Sequence, residues 1–449
     1  MSCVHKPEWR RSLLALALMT AAPGLSAMTL SEAWQRALKT DPVAASALAG
    51  RDADREAGVQ ERATRLPQLN AVGTWQNTDS KVTQAPPPAT GGYSEDYDGW
   101  SATAELRQPL FRYDWLARGR RAEARDQLAE LGYASRIQAL ISRVAERYLA
   151  VLQARNELGL AEAEADAVRR SLDDTRKRYE VQLVPGTDLK EAQARDDLAQ
   201  AQLLSARQGL EAAQDAFEET TGDSGREGLS TLAADTALPL LDSSDVETWV
   251  QRARSTSPAF LQAQASWQVA RADVESRRSD ALPVVDLVAS HTRQDQADSQ
   301  VGIEGNSTVI GVEVRVPLFA SGANVSKVRE AAARLRAAEA ERDRVERELL
   351  RETRRLVRDV QTARAQASAY QRAVESAQAA EQATRYGYEA GKRTITDVLN
   401  AQSNTVQARR NLDQSRYDVL LKTLQLKQQA GTLGPDDLAA IDQLLTPAS

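Results

Sequence analysis

The sequence predicts a mixed α and β membrane protein, in which each chain gives four strands to a barrel shared between copies, set on a long α-helical coiled coil. Three observations predict it: an internal duplication spanning nearly the whole chain, pairs of alternating strand-like segments at matched positions, and helical stretches almost free of proline.

Taken in order, residues 1–27 read as a secretory signal: Lys6, Arg10 and Arg11 precede an apolar run from Leu13 to Leu18, and small residues reach Ala27. Cleavage there takes the net charge from −6 to −8 and removes Cys3, the sole cysteine. Because Cys3 lies ahead of the apolar run, no lipid anchor is expected, and neither disulfides nor thiol chemistry follow. Beyond the signal there is no stretch of about 18 apolar residues, so no transmembrane helix is expected; a closed barrel can still cross a membrane, because closure satisfies every backbone polar group. Acidic charge with both signs interleaved along helical segments argues against a nucleic-acid partner.

The duplication is carried by matched residues. Gln35-Arg36-Ala37 and Asp41-Pro42 match Gln251-Arg252-Ala253 and Ser257-Pro258, and Leu66-Pro67 matches Leu282-Pro283, all at an offset of 216. Pro109-Leu110-Phe111 matches Pro317-Leu318-Phe319 at 208, after which Tyr179, Asp188 and Gly222 match Tyr388, Asp397 and Gly431 at 209. Nearly all the slippage falls between the paired prolines, which places it in a loop. The expected organisation is a first repeat over 28–222, with strands 68–77 and 100–109, a long helix 115–182 and a returning helix 188–222. A linker follows over 223–244. The second repeat spans 245–431, with strands 284–293 and 308–317 and helices 323–390 and 395–431, before a C-terminal segment 432–449.

On the strands, Leu69, Ala71, Gly73 and Trp75 alternate with Asn70, Thr74 and Gln76, and Trp100, Ala102, Ala104 and Leu106 with Ser101, Thr103, Glu105 and Arg107. Val285, Leu287 and Ala289 oppose Asp286, Ser290 and Thr292, and Ile310, Val312, Val314 and Val316 oppose Glu313 and Arg315. About ten residues with one apolar and one polar face suit tilted strands between lipid and a wet lumen, although alternation alone also fits a soluble hairpin packed on helices. Four strands cannot close a barrel, whose smallest examples have about eight, so copies must share one. The connecting segments 81–99, with Ala85-Pro86-Pro87-Pro88 and Gly91-Gly92, and 294–306 are polar and turn-rich, as extracellular loops are. A helix from Trp115 to Val181 reaches about 100 Å at 1.5 Å per residue. Its stripe Ile137, Leu140, Ile141, Val144, Tyr148, Val151 and Leu152 has helical spacing, which by itself fits a soluble coiled coil equally well. Gln182 to Gly186 and Gly391 stop the long helices, and Asp188-x-x-Glu191 and Thr394-x-x-Asp397 are expected to cap their successors.

The tips, Arg178-Tyr-Glu-Val-Gln-Leu-Val-Pro-Gly-Thr-Asp-Leu189 and Tyr388-Glu-Ala-Gly-Lys-Arg-Thr-Ile-Thr-Asp-Val-Leu-Asn-Ala-Gln402, resemble the TolC family of outer-membrane efflux and secretion ducts, over essentially residues 29–445. The resemblance implies a homotrimer with a twelve-stranded barrel in outer-membrane lipid, above a helical tunnel in the periplasm. It implies as partners a periplasmic adaptor and an inner-membrane efflux pump or ABC transporter. It further implies gate ties at Tyr388 and Arg393 with Thr187 and Asp188, a pore constriction at Asp397 and Asn400, and adaptor contacts at Val184, Pro185, Gly186, Gly391 and Lys392. Asn400 stands where the family pattern has a second aspartate, so weaker block by multivalent cations is expected. Asp188, Thr187 and Asp397 are also preferred N-cap types, and the two roles are compatible.

An enzyme is not expected. The mature chain keeps one histidine, His291, and no cysteine; acidic pairs such as Asp173-Asp174 lie on polar faces; and no metal cluster, phosphate-binding glycine loop or other cofactor site stands out. The competing class is a periplasmic or surface coiled-coil protein without a channel, which needs no matched strands.

Overall fold

A computed structural model describes residues 27–83, 92–226, 228–233, 236, 238, 239, 241, 243–296, 303–319 and 321–446. Apart from Ala27, the expected signal lies outside these residues, as do Ala85-Pro86-Pro87-Pro88 and residues 297–302.

The first repeat opens with α1 (Leu30–Thr40) and α2 (Pro42–Ala63). Thr29 and Glu32 form a reciprocal capping box on α1, and the Asp41 carboxylate accepts from the Val43 amide to start α2, with Pro42 at the first helical position where no N–H is needed. Strands β1 (Gln68–Val82) and β2 (Tyr93–Phe111) follow, then α3 (Trp115–Glu180) and α4 (Gly186–Thr221). After β3 (Thr231–Leu232) the pattern recurs as α5 (Val246–Thr256), α6 (Pro258–Ser279), β4 (Val284–Gln296), β5 (Ile303–Arg315), α7 (Ala323–Glu389) and α8 (Ile395–Ala430), closed by α9 (Pro435–Asp442) and β6 (Leu445–Thr446). Repeat symmetry is kept in helix length: α1 and α5 have 11 residues each, α2 and α6 have 22, α4 and α8 have 36, and α3 and α7 have 66 and 67.

Three sequence expectations are corrected. First, all four strands outrun their expected loop-side limits into the segments read as loops: β1 and β2 continue to Val82 and from Tyr93, β4 reaches Gln296 and β5 begins at Ile303. The first extension is held by backbone pairing from Asn77↔Asp98 to Val82↔Tyr93, and the Asn77 amide donates to Asp98 and Asp96 at 3.1 and 3.0 Å. Second, β5 runs from Ile303 to Arg315 rather than over 308–317; its end falls two residues before Pro317, which has no N–H for a ladder. Third, α4 starts at Gly186 rather than at 188, with Pro185 before it, and the expected Asp188-x-x-Glu191 side-chain cap is not formed. Glu191 instead reaches across to α8, as described below.

The four longer strands make one antiparallel sheet in the order β1-β2-β4-β5, and β3 pairs with β6. Pro109 is accommodated where the β2 register shifts between Pro109 and Phe111. Among the described residues, the outer edges of β1 and β5 have no strand beside them, so the sheet is open at both ends.

The core sits at mid-height of the helices. Leu140, Ile141, Val144, Tyr148, Val151 and Leu152 of α3 are buried against Leu30, Trp34 and Ala37 of α1, Phe217 of α4, Leu420 and Leu424 of α8, and Leu438 and Ile441 of α9. The Tyr148 hydroxyl donates to the carbonyls of Met28 and Ser230 at 2.8 and 3.0 Å, and the Asp442 carboxylate accepts from the Leu30 and Ser31 amides at 2.7 and 2.9 Å. The second repeat has a matching cluster of Trp249, Ala253, Leu356, Val357, Val360, Leu426 and Ala430. Away from this belt the helix pairs meet through small residues such as Ala165, Ala199, Ala363 and Ala367, which keep the helix axes close over a long distance.

Candidate functional site

The register assigns each strand residue to a face. Leu69, Ala71 and Trp75 share a face with Leu106, Ala104 and Trp100, and with Leu287, Ala289, Ile310 and Val312. Most of these side chains are open: Leu69 is 72% and Ile310 73% exposed, an apolar surface that water does not favour. On β4 the same face becomes polar beyond Ala289, with His291 bonded to Thr308 at 2.8 Å and the Arg293 guanidinium 5.9 Å from the Trp100 ring centroid. The apolar band is therefore oblique to the hydrogen-bond register, as barrel strands tilted by about 35–45° require. Phe111 and Tyr113, in edge-to-face contact at 5.1 Å, mark its helix-side border together with the open Phe319. From Trp100 to Phe111 the strand covers about 36 Å, or about 25 Å of membrane at a 45° tilt, the height of an outer-membrane apolar band.

The opposite face is polar and ionic. Arg107 meets Glu105 at 3.2 Å and both Asp286 and Glu313 at 3.3 Å, Arg112 also reaches Asp286 at 3.2 Å, and Arg315 pairs with Glu313. Asp286 is only 3% exposed at its side chain, and two guanidiniums offset the cost of removing that carboxylate from water. A sheet with one face for lipid and one for a wet lumen, unpaired at both edges and standing on helices about 100 Å long, defines a subunit of an outer-membrane duct.

The far ends of the helices carry the residues singled out in the sequence. The two turns are repeats of one motif: Leu183 and Lys392 each donate a backbone bond of 2.8 Å to the residue five before, Arg178 and Gly387, while Gln182 and Gly391 adopt positive φ. Pro185, Gly186, Gly391 and Lys392 are exposed and Val184 is half-buried. Thr394 and Asp397 form the expected capping box: the Asp397 amide donates to the Thr394 hydroxyl at 3.2 Å, and the Thr394 amide to the Asp397 carboxylate at 3.0 Å. These Thr394 groups, and then Arg393, hold the Asp397 carboxyl below its ordinary range.

Tyr388 packs on Ile395, Val398 and Leu399, and its ring lies 5.2 Å from the Arg178 guanidinium of the first tip. Thr187 and Asp188 bond to each other at 3.4 Å. Among the described residues no hydrogen bond or ion pair within the chain joins Tyr388 or Arg393 to Thr187 or Asp188. The first and second tips are joined instead by the Thr396 hydroxyl donating to Glu191 and by Arg195 donating to the Asn400 carbonyl at 2.5 Å. Sequence reasoning missed Arg178 and Arg195 as partners and read Glu191 only as a cap. The signal was there as matched i, i+4 spacing, Glu191 with Arg195 and Thr396 with Asn400, which stacks each pair on one helix face.

A model of the outer membrane efflux protein family matches residues 33–223 and 249–432. Outer membrane protein TolC of Vibrio cholerae is 32% identical over 434 residues, 96% of both chains, and proteases secretion protein PrtF of Dickeya chrysanthemi is 31% identical over 431 residues, 95% of this chain and 93% of that one. Among solved structures, the CmeC outer membrane channel of Campylobacter jejuni superposes with a TM-score of 0.79 at 16% identity, over 99% of this chain and 97% of that one. VceC of Vibrio cholerae gives 0.75 at 20%, over 90% and 96%. The chain belongs to the outer membrane efflux protein family. It is an outer-membrane exit duct of the trimeric barrel-and-tunnel fold, and its family is one of channels rather than enzymes.

Proposed function

We propose that three copies of this chain join their sheets edge to edge into one barrel, and that the tunnel below passively conducts substrates from an inner-membrane transporter and its periplasmic adaptor to the outside. The observation that carries this is the sidedness of the open sheet: its apolar face needs lipid and its ionic face needs water, and only closure by further copies provides both. The kinship with a proteases secretion protein favours type I protein secretion among the jobs, with drug efflux through the same duct as the second.

At the periplasmic mouth, three copies of Asp397 form the acidic ring, with Asn400 one turn further in. The ties of Tyr388 and Arg393 to Thr187 and Asp188 are assigned between neighbouring copies, because among the described residues no hydrogen bond or ion pair joins the two sets within one chain. The exposed turns at Val184, Pro185, Gly186, Gly391 and Lys392 receive the adaptor. A deletion strain assayed for drug susceptibility and for secreted proteins tests the role. Loss of a secreted protein supports the first job and hypersensitivity to drugs the second; a strain unchanged in both overturns the proposal.

A further inference from the structure

Each of the three tip contacts takes one residue from the first repeat and one from the second: Arg178 on Tyr388, Glu191 on Thr396, and Arg195 on Asn400. None uses positions that match in the duplication, since Glu191 matches Asn400 and Thr187 matches Thr396 at the offset of 209. Each helix pair has apolar contacts of its own, such as Ala165, Val168 and Ala199, or Ala363, Ala367 and Val419. The pairs meet between α3 and α8 through Asn156–Tyr417 and through Arg410 with Glu157 and Glu164, and nearer the tips the polar rungs link α4 to α8.

We propose that Arg195 is a specificity-determining residue of the mouth: through the Arg195–Asn400 and Glu191–Thr396 rungs it clasps the two helix pairs together, and it places a guanidinium one helical turn from the Asp397 ring. This rests on the duct reading and deepens it. Asn400 is then a hydrogen-bond acceptor for a cation, not a neutral remnant of an acidic ring. In a trimer three Arg195 guanidiniums stand one helical turn from the three Asp397 carboxylates, so the mouth attracts cations less than the aspartates alone imply. The rungs also differ in kind. The carbonyl of Asn400 receives a charged donor, which makes a charge-assisted bond, and a carboxylate placed there forms a salt bridge with the same guanidinium.

That last point gives the test. Purified wild type, Asn400→Asp, Arg195→Ala and the double variant are compared in planar bilayers, by single-channel conductance and by reversal potential in a salt gradient. Heat-modifiable migration on gels shows that each one has assembled. Asn400→Asp alone is expected to raise the cation-over-anion permeability ratio less than about twofold, because the new carboxylate is ion-paired with Arg195 and held out of the ion path, and to leave conductance unchanged or lower. In the double variant the same carboxylate is unopposed, and the ratio is expected to rise about threefold or more. Arg195→Ala alone is expected to raise conductance as the clasp loosens. If Asn400→Asp raises the ratio equally with and without Arg195, the clasp is overturned while the duct stands. If assembled wild type forms no channels, the duct reading fails instead.

Discussion

Gln182 and Gly391 occupy one place in the two repeats, and both carry the chain through the left-handed region, at φ 62° and 70°. Glycine does this without a Cβ clash, whereas a side chain costs about 1 kcal/mol or more. Gln182→Gly is therefore expected to tighten the first tip, slowing hydrogen exchange of the Leu183 amide that closes the turn by about fivefold. Faster exchange there contradicts it. Asp397 makes a pH prediction. Its folded-state carboxyl is held below the ordinary 3.8, so the cap is fully stabilising above that value and is lost as the pH falls through the lower folded one. Cation preference measured by reversal potential should thus persist at pH 4 and decline only in stronger acid; a decline centred near pH 5 or above does not fit the capping box. Asp397 was legible in the sequence because a capping box is local, three residues apart. Arg195 and Asn400, 205 residues apart, were not, since a sequence shows which side chains share a helix face but not which helix lies opposite.

The elements show the same division. The stripe from Ile137 to Leu152 announced a buried face on α3, yet its partners come from both ends of the chain, α1, α4, α8 and α9. The most distant link is Asp442, whose carboxylate takes the first amides of α1 from a separation of 412 residues. It joins the start of α1 to α9, so the mid-height belt completes only when the C-terminal segment has docked. Removing that acceptor leaves two helix-start N–H groups without their charge-assisted bonds. Asp442→Ala is expected to cost about 1–3 kcal/mol, read as a lower urea midpoint for loss of helical signal and as earlier proteolysis near Met28. The same variant should not change ion selectivity, since the belt lies far from the tip. An unchanged midpoint means that the N-terminal segment is held by apolar packing alone. The strands were legible in phase but not in extent: alternation fixed the faces, while the extra strand residues of β1 and β2 are held by backbone pairing and by Asn77, which no periodicity reveals.

At the scale of the whole molecule, the chain is built to be incomplete. Among the described residues its sheet has two unpaired edges and an apolar face open to its surroundings, features that in a monomer in water invite aggregation. In a barrel they become the joints between copies and the surface toward lipid. Sequence pattern alone gave four strands per chain and hence any multiple of four; three came from the family, because side chains at a strand edge do not encode how many copies close the ring. The sidedness can be tested with two adjacent residues. Leu69 lies on the apolar face, in register with Leu106, which is about midway between Trp100 and Phe111; Asn70 lies on the ionic face, in register with Glu105. An arginine at the middle of the lipid face costs about 2–4 kcal/mol, while one in the lumen costs little. Leu69→Arg is therefore expected to reduce folded, heat-modifiable trimer in lipid vesicles severalfold, and Asn70→Arg to leave it near wild type, with Glu105 close enough to pair with the new guanidinium. Conductance separates the two further, because only Asn70→Arg puts charge in the path of ions and should shift permeability toward anions. If the two variants assemble alike, the faces have no lipid and water sides and the sheet is not a barrel wall. If their order is reversed, the barrel is inside out and Arg107 and Asp286 must find water elsewhere.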